Sequence, residues 1–337
     1  MLEIYVIFFT LFLTLISNYI SKKNQFLTDK KFNIHKSFAS KSVVPITGGF
    51  IFLTSSLLFL NFENQYLKIF LIIIFLIGFL SDINYLISPI KRLFLQIISI
   101  LFFININQIF INSIRIEAFD FLLTNIYFNY FFTFFCFLVL INGSNFMDGI
   151  NTLLIGYFLG LLFVTLISIE KFNLTYDVNN FYILALILFF IFWSNFFGKL
   201  ISGDSGAYLI SFVIGYFLID LANSSNRVSP YFVSCLLWYP AYECLFSIIR
   251  KIKAKKSVAE PDNRHLHQLI LLFLKRKFNL RENFLNTLTG LTINSFNLII
   301  FYAAFENVSQ TKNLVLINIS SLLVYNLIYY YLNKSEK

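Results

Sequence analysis

The sequence predicts an all-α, polytopic integral membrane protein of about 11 transmembrane helices (10–11). Three observations lead there. The chain of 337 residues is 58% hydrophobic and 13% charged, with mean hydropathy +0.74, where a soluble protein carries roughly 25% charge. Its apolar runs approach the roughly 20 residues that cross a bilayer, and each must be helical because lipid offers the backbone no hydrogen-bond partner. Five short polar islands interrupt those runs: Lys41–Gly49, Gly78–Asn84, Asn142–Gly149, Ser202–Gly206 and Glu260–His267. Two runs separate each consecutive pair, so all five islands return to one face.

Taken in order, the runs give spans at about 2–20, 46–62, 66–80, 92–111, 126–141, 153–169, 181–197, 206–221, 229–249, 284–304 and 313–332. The first starts at Leu2 with no basic residue before it and no small-residue cleavage signature, so it reads as a retained helix and not a signal peptide. Pro45 and Gly48-Gly49 make a turn into the second. The third, which is short, closes on Gly78-Phe-Leu-Ser-Asp82, and Ser88-Pro89 opens the fourth. Residues 112–125 alternate weakly and predict a small hairpin. The fifth span is also short. Ser202-Gly-Asp-Ser-Gly206 ends the seventh span and begins the eighth. Between the ninth and tenth, Arg250–Arg281 forms a long polar loop with room for a short amphipathic helix. No internal repeat or long linker divides the chain, so 1–337 reads as one domain, with loops at about 21–46, 81–92, 142–152, 198–206 and 250–282 carrying the chemistry.

Basic residues set the orientation. The first loop and the Arg250–Arg281 loop hold 16 of the 26 Lys and Arg residues, and both lie on the face of the islands. That face is expected to be cytoplasmic, with the N-terminus outside and the C-terminus inside. The net charge of +9 then follows from topology and contact with anionic headgroups, and calls for no nucleic acid. All three histidines, His35, His265 and His267, fall in those two loops. Cys136, Cys235 and Cys244 sit in apolar runs without metal-type spacing and read as buried thiols. The 45 Phe and 19 Tyr read as coding bias and not as a ligand cage.

The islands carry residues suited to phosphate and metal chemistry. Glycines flanking Asp204 would let backbone amides approach an anion at a helix start, and a lone carboxylate there suits a magnesium ion shared with substrate phosphates. A plain helix cap is the competing reading. Asn145 and Asp148 lie one helical turn apart and could face one ligand. Asp82 is a second candidate metal ligand or proton acceptor. Arg264, His265 and His267 suit a diphosphate. Lys36 and Lys41 read first as orientation charges, although either could reach a phosphate.

The order of the islands resembles the polyprenyl-phosphate N-acetylhexosamine-1-phosphate transferase family (glycosyltransferase family 4, WecA/MraY-like). The family's entry motif matches His35-Lys36 and Pro45-Ile-Thr-Gly-Gly49, its Asn-x-x-Asn-Phe-x-Asp-Gly matches Asn142–Gly149, and its Gly-Asp-x-Gly matches Gly203–Gly206. Its histidine loop matches Pro261-Asp-Asn-Arg-His-Leu-His267, in the form that resembles the GlcNAc-1-phosphate branch. The resemblance implies that a membrane polyprenyl phosphate attacks a UDP-N-acetylhexosamine at the cytoplasmic face of a bacterial inner membrane. UMP would leave, in the first lipid-linked step of cell-envelope polysaccharide synthesis such as O-antigen.

By position, the resemblance gives Asp82, Asp148, Asp204 and His265 catalytic roles. Asp204 and Asp82 would hold Mg²⁺, with Mn²⁺ as an alternative ion. Asn145, Asn151, Arg264, His267, Lys36 and Lys41 would bind substrate, and a homodimer is an allowed assembly. Two departures stand out: Ser81 occupies a place where the family has an aspartate, and Asn151 another. Ser81 motivates a rival reading as a homologue that binds without turnover. A secondary transporter is the other rival, disfavoured because the carboxylates lie at helix ends and not at the bilayer midplane.

Overall fold

The computed structural model describes residues 2–28, 44–62, 64–258, 260 and 264–335. They form thirteen helices: α1 (Leu2–Asn24), α2 (Gly48–Phe59), α3 (Tyr66–Asp82), α4 (Pro89–Asn107), α5 (Glu117–Leu123), α6 (Ile126–Met147), α7 (Leu153–Lys171), α8 (Asn179–Phe196), α9 (Gly203–Ser224), α10 (Pro230–Lys253), α11 (Leu266–Lys277), α12 (Glu282–Phe305) and α13 (Thr311–Ser335). Each of the eleven apolar runs falls on one helix. Among the described residues nine are long and apolar enough to cross a membrane, while α2 and α3 have 12 and 17 residues. The chain is a multi-pass membrane protein.

Two further helices lie outside those runs. The amphipathic helix expected after Arg250 is α11. The hairpin expected at 112–125 is not formed: α5 occupies that stretch. The Asp120 carboxylate accepts hydrogen bonds from Ser113 Oγ and the Ile114 N–H, both at 2.7 Å, which folds the segment back on itself as a helical turn. Asn125 then caps α6, accepting from the N–H groups of Tyr127 and Phe128.

Helix α9 is the centre of the bundle, packed between α2, α3 and α6. Its apolar window is 78% buried, against 22% for α1 and for α13 at the periphery, and this makes α9 the rigid element on which a site can be built. Helix α6 runs six residues past its expected end because its polar segment finds partners inside the protein, with Asn142 donating to Gln96 Oε1 at 3.0 Å. In α10, Pro240 lacks the N–H that would reach the Leu236 carbonyl. Tyr157 of α7 supplies the missing donor, its hydroxyl lying 2.7 Å from that oxygen.

The polar islands meet at one end of the bundle. Gly48 and Gly49 donate their N–H groups to the Ile201 and Ser202 carbonyls at 3.1 Å, and Ile201 donates back to Pro45. A Cβ on Gly49 would stand 2.5 Å from the Gly206 nitrogen, so the approach of α2 to α9 requires glycine there. The turn at Pro45–Gly49 therefore has a structural task, which is to hold the connection between α8 and α9.

Candidate active site

The centre of the site is the first turn of α9. A helix start leaves its first N–H groups without partners, and Ser202, the residue before α9, makes no side-chain cap. Two carboxylates from other helices fill that place. Asp148, which follows α6, accepts the Gly203 N–H at 2.9 Å. Asp82, the last residue of α3, accepts the Asp204 N–H at 2.8 Å and, on its other oxygen, the Ser205 N–H at 3.0 Å and the Ser205 hydroxyl at 2.6 Å. The positive end of α9 stabilises both anions.

This corrects the expectation that the amides around Asp204 stand ready for a substrate anion: the protein's own carboxylates take the first three. Gly203 has φ of +74°, and a Cβ there would meet Asp82 Oδ2 at 2.6 Å and Ile46 at 2.4 Å. Glycine at 203 is what lets Asp82 come so close.

Asp204 lies in the same turn. Its Oδ2 accepts hydrogen bonds from the Ser81 hydroxyl and from Arg92, each at 2.6 Å, and Arg92 also donates to Ser81 at 2.7 Å. Ser81, Asp204 and an arginine from the first turn of α4 thus bond to one another in a charge-assisted triangle. The Asp204 side chain is 12% exposed and that of Arg92 22%, so the pair is largely shielded but not sealed off.

On the other side of Asp148 lie the histidines. His265 precedes α11 and its backbone N–H donates to Gln268 Oε1 at 3.1 Å. Its Nδ1 lies 2.8 Å from Glu243 Oε1, and the other oxygen of Glu243 accepts the Tyr325 hydroxyl at 2.7 Å. The His267 ring lies parallel to that of His265 at 5.5 Å, with its Nε2 turned towards Gly149. His267 is 1% exposed and its Nδ1 has no protein partner. Burial, reinforced by His265, pushes its pKa from 6.5 down to about 3, so it is a neutral imidazole. Lys251 holds the chain leading to these residues, donating to the Val258 and Glu260 carbonyls.

The structure therefore brings Asp82, Asp148 and Asp204 to one turn, with His267 beside Gly149 next to Asp148. Asn145 is one turn earlier in α6, its carbonyl receiving the Asp148 N–H and its side-chain oxygen buried without a partner. Arg264 is exposed at the start of α11. Asn151 is directed elsewhere: its N–H donates to Asn286 and its side chain to Thr287, both on α12. Lys36, Lys41 and His35 lie outside the described residues.

Sequence reasoning missed three groups. Glu243 was legible, being an acidic residue inside an apolar span. Nothing in the pattern links Arg92 or Tyr325 to the site.

The glycosyl transferase family 4 model matches residues 64–222, the stretch from α3 to α9 that carries all three carboxylates. Over that stretch the chain is similar to glycosyl transferase family 4. Among similar proteins, the undecaprenyl-phosphate alpha-N-acetylglucosaminyl 1-phosphate transferase of Thermotoga maritima is 27% identical, over 77% of this chain and 77% of the relative. A probable undecaprenyl-phosphate N-acetylglucosaminyl 1-phosphate transferase of Bacillus subtilis is 25% identical over 39% of this chain and 37% of its own length. The decaprenyl-phosphate N-acetylglucosaminephosphotransferase of Mycolicibacterium smegmatis is 29% identical over 39% and 38%.

Proposed function

We propose that this protein transfers an N-acetylhexosamine-1-phosphate from a UDP-sugar to polyprenyl phosphate at the cytoplasmic face of a bacterial inner membrane. A phosphate oxygen of the lipid bonds to the β-phosphorus of the nucleotide sugar. The bond from that phosphorus to the bridging oxygen breaks, UMP leaves with the oxygen, and polyprenyl-diphospho-sugar remains. The observation that carries this reading is the convergence of Asp82, Asp148 and Asp204 on the first turn of α9.

Such phosphoryl transfers depend on positioning and charge neutralisation more than on covalent chemistry. The donor set fits Mg²⁺: Asp204 and Asp82 bring hard carboxylate oxygens to the first turn of α9. Magnesium binds through one or two carboxylates and completes its shell with water and substrate phosphates. Asp204 and Asp82 would hold it, and when bound it neutralises charge developing on the phosphates. Asp82, fixed by three hydrogen bonds, keeps Asp204 in place.

Around that centre, each side chain has a distinct task. Asn145 presents an unpartnered buried oxygen that suits a ligand hydroxyl or imide N–H. His267, neutral and buried, suits a hydrogen bond and not a charge contact. Arg264 supplies the cation for the diphosphate, and His265, oriented by Glu243, directs its remaining nitrogen towards it. Lys36 and Lys41 would supply positive charge for a substrate phosphate.

The test is to incubate membranes containing the protein with a panel of labelled UDP-sugars and polyprenyl phosphate. Label should pass into the lipid phase for an N-acetylhexosamine donor, in a Mg²⁺-dependent way. Binding of either substrate with no transfer for any sugar would favour the non-catalytic reading that Ser81 motivates.

A further inference from the structure

A cleft of about 280 Å³ opens between α1 and α8 at the same end of the bundle, outside the site described above. On α1, Leu15, Asn18 and Lys22 line it at helical spacing i, i+3 and i+7, so they form one stripe. Across from them stand Trp193 near the end of α8, Phe197 just after it, and Lys199 beyond. Both helices run towards this end, so both walls follow one gradient: apolar first, cationic last. Among the described residues no acidic side chain lines the cleft. Among the described residues neither Lys22 nor Lys199 has a carboxylate within ion-pair distance. The Lys199 ammonium lies 5.6 Å from the Phe197 ring centroid, which positions it over the apolar wall.

From this gradient we propose that the cleft binds an anionic phospholipid of the surrounding bilayer, with its phosphate between Lys22 and Lys199 and its glycerol and upper acyl chains against Leu15, Trp193 and Phe197. The three apolar residues are 64%, 45% and 58% exposed, which is surface a soluble anion would leave uncovered and an acyl chain would cover. A tryptophan beside lysines at a helix end is the composition of the membrane interface, where basic side chains reach up to headgroups. The cleft is also tied to the neighbouring machinery: Asn18 accepts the Thr47 hydroxyl at 2.6 Å just ahead of α2, and Lys199 belongs to the connection that leads into Gly203.

Trp193 reports directly on this cleft. The sequence has two tryptophans, and Trp238 is buried at 5% exposure, so a quencher in the lipid acts chiefly on Trp193. The full chain, reconstituted in bilayers containing equal mole fractions of brominated phosphatidylglycerol or brominated phosphatidylcholine, should be quenched more by the anionic lipid. The Lys22→Gln/Lys199→Gln variant should lose that preference, by about five-fold in relative affinity for each lysine removed. Lys253→Gln/Lys334→Gln, which removes the same charge elsewhere at this end, should keep it. Equal quenching by the two lipids in the unmodified protein overturns the proposal. So does a preference that survives Lys22→Gln/Lys199→Gln, or one that falls equally in the control variant. No turnover is involved, so the result stands apart from the proposed transferase activity.

Discussion

The carboxylate of Asp82 accepts the backbone N–H of Asp204 at 2.8 Å, so the end of α3 caps a helix 122 residues away in sequence. The two aspartates consequently have separable tasks. Asp82→Ala leaves two N–H groups at the start of α9 without their acceptor, at a cost of about 1–2 kcal/mol for a lost cap. Asp204→Asn keeps an oxygen for Ser81 and Arg92 but removes the charge. Thermal unfolding in detergent should show a larger drop in Tm for Asp82→Ala than for Asp204→Asn, while both lose UMP release. The reverse order of Tm values would mean that Asp82 is not the cap.

Ser81 tests the role of charge at the same place. Its hydroxyl lies 2.6 Å from Asp204 Oδ2, and a carboxylate substituted there would face a like charge, which disfavours ionising both. Ser81→Asp should therefore unfold at lower temperature in EDTA and recover on addition of Mg²⁺, while Ser81→Ala shows no such recovery. A Tm for Ser81→Asp that ignores the cation would remove the support for a divalent ion beside Asp204.

Glu243 positions His265 through the 2.8 Å contact with Nδ1, and Tyr325 holds the other oxygen of Glu243. If Glu243 acts through the imidazole, Glu243→Gln and His265→Ala should not be additive. Each should lower kcat by about ten-fold or more, the scale seen when the carboxylate partner of a functional histidine is lost. The double variant should be no worse than His265→Ala. Fully additive losses would assign Glu243 a task of its own.

These relationships show which parts of the fold were readable beforehand. The eleven apolar runs were legible because lipid forces helix wherever enough consecutive residues are apolar. The convergence of Asp82, Asp148 and Asp204 at one end followed from counting crossings between islands. The capping of α9 by Asp82 and Asp148 was not legible, because it depends on α3 and α6 ending beside α9, a packing fact absent from local pattern. Residues 112–125 were misread because weak alternation does not reveal that Asp120 turns back onto Ser113. Glu243 left a signal, a lone carboxylate in an oily span, whereas Tyr325 is one tyrosine among 19.

His267 gives a pH prediction with a definite sign. In the folded protein burial keeps it neutral down to about pH 3, against an ordinary value of 6.5. Between those values the unfolded chain binds a proton that the folded chain does not, so stability is full above pH 6.5 and falls as the pH drops towards 3. The loss amounts to about 2 kcal/mol at pH 5. Thermal unfolding at pH 7.5, 6 and 5 should show a smaller decline for His267→Asn than for the unmodified protein. Parallel declines would place His267 in contact with water.

UMP release by the purified protein, given polyprenyl phosphate, Mg²⁺ and a panel of UDP-N-acetylhexosamines, tests the central claim most directly. UMP should appear in step with lipid-linked sugar for at least one donor and vanish in Asp204→Asn. No UMP from any donor by folded protein, or undiminished release by Asp204→Asn, would contradict a transferase centred on the first turn of α9.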